Sequence, residues 1–173
     1  MTVDRSKNII LIGMPGSGKS TIGVLLAKQM GFAFADTDVL IQIRCSRSLQ
    51  EIVDRDGHLE LRRIEERVIA GLDLRQHVIA TGGSAVYSDR AMQHLGSGGI
   101  VVFLNVDLAL LKKRVHDYDT RGLAKRPDQT VDDLFAERHA LYRKYADVTI
   151  DCMGLNHEQV VEKIIKEVNS RVS

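Results

Sequence analysis

A chain of 173 residues is the length of one domain with a sizeable core. Hydrophobic residues make up 44% and charged residues 27%, and a formal net charge of +1 leaves no global basic field to recruit nucleic acid. No apolar run has the length of a bilayer crossing, and residues 1–8 lack the apolar centre of a secretory leader, so the expectation is a cytoplasmic protein with no membrane partner.

Residues 9–12, Ile-Ile-Leu-Ile, suit a strand buried on both faces of a parallel sheet. After a glycine-rich stretch, residues 21–30 place Ile22, Val24, Leu25, Leu26 and Ala27 at helical spacing, and Gly31 ends that helix. Residues 32–35 read as a second strand running into Asp36-Thr37-Asp38, and 39–74 as mostly helical. The pattern continues with a strand at 77–80 before Gly82-Gly83, a helix at 88–95, a strand at 100–106 and a helix at 108–115. A loop at 122–130, a helix at 131–145, a strand at 148–151 and a helix at 157–168 complete it. Strands alternating with helices imply a single α/β domain, residues 1–173, built on a parallel sheet. Ligands of such sheets bind at the carboxyl ends of the strands. The glycine-rich stretch, the two aspartates and Gly82-Gly83 all fall there.

Gly13-Met14-Pro15-Gly16-Ser17-Gly18-Lys19-Ser20 fits G-x-x-x-x-G-K-S, between a strand and a helix as the motif requires. Its glycines let the backbone curl N–H groups toward phosphate oxygens, and the helix N-terminus adds partial positive charge. Lys19 can reach the β- and γ-phosphates, and the Ser20 hydroxyl can ligate Mg²⁺. The alternative, a chance glycine-rich turn, does not account for the full pattern in this setting. A GTPase switch would show Asn-Lys-x-Asp near a late strand, and Asn105-Val106-Asp107 has no lysine. A motor ATPase needs a longer chain. A magnesium-dependent, ATP-using kinase of a small hydroxylated metabolite fits better.

Asp36 and Asp38 lie two apart at the end of the second strand, where strand periodicity puts both on one face. One carboxylate would support Mg²⁺, and the other would grip or deprotonate an acceptor hydroxyl. The alternative role is helix capping by Asp38 before Val39. Arg62 stands three and four residues before Glu65 and Glu66, either as a solvated ion pair or as an arginine held by an acid and aimed at a substrate carboxylate. Arg138 is open to the same two readings. The basic loop containing Arg121, Lys125 and Arg126 is either an exposed polar loop or a lid whose arginine stabilises the moving phosphoryl group. The six histidines are scattered, and His58, one turn before Arg62, is the one to follow. Cys45 and Cys152 have no metal-ligand spacing and read as reduced thiols.

These segments in this order resemble the shikimate kinase family from about residue 9 to 151, on residues 13–21, Asp36-Thr37-Asp38, Arg62-Arg63-Ile64-Glu65-Glu66, Gly82-Gly83, Glu137-Arg138, Leu141-Tyr142 and Ala146-Asp147. The resemblance implies a three-layer, nucleoside monophosphate kinase-like fold. Its five parallel strands run in the order 2-3-1-4-5 between flanking helices, with an acceptor-binding segment at about 37–66 and a lid at about 116–130. It implies transfer of the ATP γ-phosphate to the shikimate 3-hydroxyl. Gly13, Gly16, Ser17, Gly18, Lys19, Ser20 and Thr21 resemble the nucleotide-binding loop. Asp36 resembles the residue that supports Mg²⁺ with Ser20, and Asp38 the one that bonds the acceptor hydroxyls and acts as base. Arg62 and Arg138 resemble the pair that binds the shikimate carboxylate, with Glu65 orienting Arg62. Gly82 and Gly83 resemble the turn that contacts the acceptor, Arg114 the arginine against adenine, and Arg121 the catalytic lid arginine.

The sequence departs from the family in three places. Ser84 replaces a third glycine, and its side chain would narrow the turn or strain it if φ were positive. Val53 and Leu61 stand where the family usually has aromatic residues. The lid reads Arg121-Gly122-Leu123-Ala124 rather than Arg-Pro-Leu-Leu, so Arg126-Pro127 competes for the lid arginine. These changes keep open a kinase of another small hydroxylated acid or polyol. A nucleotide-binding module that has lost catalysis would show a damaged phosphate loop or a missing carboxylate, and neither is seen. A monomer is expected, because no exposed apolar stripe stands out.

Overall fold

The computed structural model describes residues 7–115 and 122–171. Five short strands form one sheet: β1 (Asn8–Ile12), β2 (Ala33–Asp36), β3 (His77–Ala80), β4 (Gly99–Asn105) and β5 (Val148–Asp151). Their order is β2-β3-β1-β4-β5, and every pairing is parallel. β1 lies at the centre with all five residues buried, which its unbroken apolar run requires. In register, Ile10 stands beside Ile79 of β3 and Val101 of β4.

Parallel neighbours cannot be joined by a tight turn, so the chain returns through helices. These are α1 (Lys19–Met30), α2 (Thr37–Cys45), α3 (Leu49–Asp56), α4 (His58–Ala70), α5 (Asp89–Gly98), α6 (Leu108–Arg114), α7 (Val131–Tyr145) and α8 (His157–Arg171). Helix α1 packs on α8 and against β1, β2 and β3, while α5 packs on α4 and against β1 and β4. The main apolar core fills the space between the sheet and these helices. Among the described residues no helix is long and apolar enough to cross a membrane.

The expected element types are present, with ends shifted by a few residues. The stretch at 39–74 divides into three helices. Ser46, at φ 50°, ends α2, and Ser48 and Glu51 close a reciprocal capping box on α3. Two expectations change at the start of α2. The helix begins at Thr37, directly after β2, so Asp36 and Asp38 do not share a strand face. The cap is Asp36, whose carboxylate accepts the Asp38 N–H at 3.0 Å, rather than Asp38.

Helices α2, α3 and α4 bury a second, smaller cluster: Ile41, Ile52, Leu61, Ile64, Val68 and Ala124. Five of these belong to the segment at 37–66 or its continuation along α4. Ala124 enters from the loop between α6 and α7.

Ile10→Ala should lower the unfolding free energy by about 3 kcal/mol, because a fully buried central side chain leaves a cavity. Ile43→Ala, at a side chain 69% exposed on α2, should stay within about 0.5 kcal/mol. Urea denaturation of the two variants beside the wild type checks both.

Candidate active site

The loop between β1 and α1 is shaped by its glycines: Gly16 and Gly18 take φ 84° and 95°, a region costly for other residues. Gly18 begins α1 without a side-chain cap, so no side chain competes for the first-turn N–H groups. Lys19 is buried, and its Nζ donates to the carbonyls of Gly13 at 2.8 Å and Met14 at 2.9 Å. Burial pushes its pKa down to about 8, against the opposing attraction of Asp38. Ser20 Oγ donates to Asp36 Oδ2 at 2.6 Å, joining the start of α1 to the end of β2. The Ser17 hydroxyl is buried with no hydrogen-bond partner among the described residues. Arg114, exposed at the end of α6, donates to the Gly16 carbonyl at 3.4 Å.

A cavity of about 330 Å³ opens beside this loop. Lys19, Ser20, Thr21, Asp38, Glu65 and Arg138 all reach its wall, so residues far apart in the chain meet there. Burial, then the neighbouring Asp36, raises Asp38 to about 6. Ile41, Leu49 and Leu61 supply the apolar lining. Val53 packs behind them against the small cluster.

Gly82 and Gly83 follow β3, and close approach rather than positive φ explains them. A Cβ on Gly82 would stand 2.7 Å from Asp38 Oδ1, and one on Gly83 would stand 2.6 Å from Arg138 Nη1. Ser84 has φ −96°, so the anticipated strain does not arise. Its hydroxyl instead donates to Glu65 Oε2 in a short hydrogen bond. Glu65 is 3% exposed, and its Oε1 has no hydrogen-bond partner among the described residues. Burial, then Asp38, raises Glu65 to about 7.

Arg138 belongs to the buried stripe Leu134, Arg138, Tyr142 on α7 and is 1% exposed. Tyr142 Oη donates to the Gly83 carbonyl at 2.7 Å, fixing α7 against the glycine turn. Arg62 lies in an adjoining pocket of about 290 Å³, behind the main cavity. The two arginines nonetheless converge: Arg62 Nη2 and Arg138 Nη2 both donate to the Ala124 carbonyl, at 3.0 and 3.1 Å. The Nε of each is buried without a partner among the described residues.

The expected support of Arg62 by Glu65 takes another form. Glu65 bonds Ser84, Glu66 accepts from Ser88 Oγ, and the Arg62 guanidinium lies 3.6 Å from the centre of the Tyr87 ring. Tyr87 was not singled out from the sequence. An aromatic residue three positions after Ser84 was the only available signal. His58 forms no ion pair among the described residues, and burial, then Arg62, lowers its pKa. Arg126 is largely exposed, 3.8 Å from both Asp128 and Glu137, and does not line the cavity. Arg121 and the lid as far as residue 121 lie outside the described residues.

The sequence model of the shikimate kinase family matches residues 15–169. Shikimate kinase of Thermodesulfovibrio yellowstonii is 38% identical over 164 residues, covering 93% of this chain and 94% of that one. Shikimate kinase of Mycobacterium avium is 40% identical over 162 residues, covering 92% of each chain. The solved structure of shikimate kinase from Acinetobacter baumannii in complex with shikimate superposes with a TM-score of 0.85 at 30% identity, covering 96% of this chain and 94% of that one.

Glu65 makes stability depend on pH. Its folded pKa of about 7 lies above the ordinary 4.5, so its contribution is complete below about pH 4.5 and is lost as pH rises through about 7. The full span is about 3 kcal/mol. Glu65→Gln keeps an acceptor for Ser84 and should flatten the fall in stability between about pH 5 and about pH 8, leaving the smaller slope of Asp38. Urea midpoints at the two pH values check it.

Proposed function

This chain belongs to the shikimate kinase family, and from that premise we propose how its residues carry the γ-phosphoryl group of ATP to the 3-hydroxyl of shikimate. The observation that carries the assignment of roles is the meeting of Lys19, Asp38 and Arg138 on one cavity, with Arg62 Nη2 converging on the same carbonyl as Arg138. A phosphate-binding lysine, a carboxylate and two guanidinium groups match a nucleotide and a hydroxy acid facing each other.

The glycine loop and the N-terminus of α1 bind the phosphates through backbone N–H groups. Lys19, held in the folded protein by two loop carbonyls, turns to the β- and γ-phosphates and offsets charge on the transferring group. Arg62 and Arg138 take the shikimate carboxylate in place of the Ala124 carbonyl, which orients the ring. Asp38 then accepts the proton of the 3-hydroxyl as its oxygen bonds to phosphorus. The bond to the β–γ bridging oxygen breaks, ADP leaves, and the proton passes to solvent.

Ser20 and Asp36 fit Mg²⁺: a hydroxyl and a carboxylate oxygen 2.6 Å apart beside the phosphate loop are the hard donors that this ion takes together with phosphate oxygens and waters. When bound, the ion neutralises charge on the β- and γ-phosphates. Arg114 approaches the far side of the loop at Gly16, which suits a place beside the nucleotide base. Arg121 is assigned as the lid arginine in preference to Arg126, which is largely exposed, stands 3.8 Å from Asp128 and Glu137 and does not line the cavity. A cytoplasmic monomer is the simplest setting, in keeping with two free cysteines and exposed apolar side chains distributed over several elements.

The test is an ADP-release assay with ATP, Mg²⁺ and shikimate against a panel of hydroxy acids and polyols. Asp38→Asn should lower kcat about 100-fold or more, and Arg138→Lys should raise the shikimate KM about tenfold with the ATP KM unchanged. Turnover with a polyol but not with shikimate would overturn the assignment.

A further inference from the structure

Resting on that reading of Arg62, we propose that Tyr87 is its positioning residue: the phenol ring, anchored by Glu137, fixes the plane of the guanidinium that receives the acceptor carboxylate. Arg62 needs such a support. It sits on α4, and among the described residues no acid forms an ion pair with it. Glu65, one turn away, attracts Arg62 only through space while its Oε2 accepts from Ser84, and Glu66 accepts from Ser88. A guanidinium with free side-chain torsions would spread its donors over many directions, and bidentate recognition of a carboxylate needs one.

Tyr87 meets that need through two contacts. Its ring lies beneath Arg62, with 3.6 Å from the guanidinium carbon to the ring centre, a close cation–π stack. Its hydroxyl donates to Glu137 Oε1 at 2.5 Å, and Glu137 Oε2 accepts from Gln129 Nε2 at 3.1 Å. The ring is thus tied at its far end to α7 and to the loop that carries Ala124. Arg138, the residue after Glu137, lies 5.5 Å from the same ring centre. One aromatic ring therefore adjoins both guanidinium groups. The short 3-10 turn at Ala85–Tyr87 is what swings the ring under Arg62. Tyr87 lines the adjoining pocket with Arg62 and not the cavity of Lys19 and Asp38, so its effect passes through Arg62 to acceptor affinity.

The experiment compares the wild type, Tyr87→Leu and Tyr87→Phe, each alone and in an Arg62→Ala background, by shikimate KM, ATP KM and kcat. Tyr87→Leu should raise the shikimate KM about tenfold, with kcat within about twofold and the ATP KM unchanged. Tyr87→Phe keeps the ring and should recover most of that loss. In the Arg62→Ala background Tyr87→Leu should add nothing, because the group it positions is gone. A shikimate KM within twofold of wild type in Tyr87→Leu overturns the proposal. So does an equal effect with and without Arg62, or a joint loss of kcat and both KM values, which would mark a merely structural residue. If Tyr87→Leu does not fold, Tyr87→Met, closer in length and without a ring, carries the same comparison. Wild-type turnover of shikimate with an unmoved Tyr87→Leu sinks this proposal alone. If the wild type turns over another carboxylated acceptor, the comparison is made with that acceptor. Failure on every carboxylated acceptor sinks both readings.

Discussion

A lysine, two carboxyl groups and an arginine share one enclosed space at the carboxyl ends of the strands, and the site depends on how their charges balance. Lys19 and Arg138 are almost fully buried, and Glu65 is 3% exposed. Burial works against the charged forms of Lys19, Asp38 and Glu65, because desolvation is expensive, while the Arg138 guanidinium stays charged. The charges act in both directions: Asp38 raises Lys19 while burial lowers it, and Lys19 and Arg138 lower Asp38 and Glu65 against burial and the repulsion of a neighbouring carboxylate, Asp36 for Asp38 and Asp38 for Glu65. The scaffold keeps them close. The central strand aims the phosphate loop, α4 brings Glu65, and the inner stripe of α7 brings Arg138.

Two apolar clusters divide the work of holding this assembly. The larger one supports the sheet and the nucleotide loop. The smaller one lies under α2, α3 and α4 and supports the acceptor side. Ser84 and Tyr142 join the two sides: one hydroxyl reaches Glu65 on α4, and the other reaches the Gly83 carbonyl. A residue that departs from the family's triple glycine therefore has a defined task. It satisfies one oxygen of a buried acid and fits the turn with φ −96°.

Features carried by local pattern were legible in the sequence. The phosphate loop needs only eight contiguous residues between a strand and a helix, and the strand order followed from the resemblance. The split of 39–74 into three helices was not legible, because it turns on the left-handed Ser46 and the Ser48 box rather than on periodicity. The start of α2 was misplaced because an aspartate that ends a strand and one that begins a helix look alike until the cap hydrogen bond is seen. The partners of Arg62 were invisible for another reason. The acids one turn further along its helix, Glu65 and Glu66, face other hydroxyls, and its neighbours Tyr87 and the Ala124 carbonyl lie 25 and 62 positions away.

Ala124 places the two arginines in a distinctive resting condition. Its methyl group is sunk in the small cluster while its carbonyl accepts from both guanidinium groups. If the two arginines take the acceptor as proposed, filling that position is an exchange reaction rather than an addition: one neutral peptide oxygen departs as the incoming group arrives. A carboxylate wins the exchange because it offers two charged oxygens to donors already aligned in pairs. A neutral polyol brings only hydroxyls of about the same strength as the oxygen it must evict. On that reading the loop is an internal competitor, which an uncharged sugar displaces less readily than a carboxylate does.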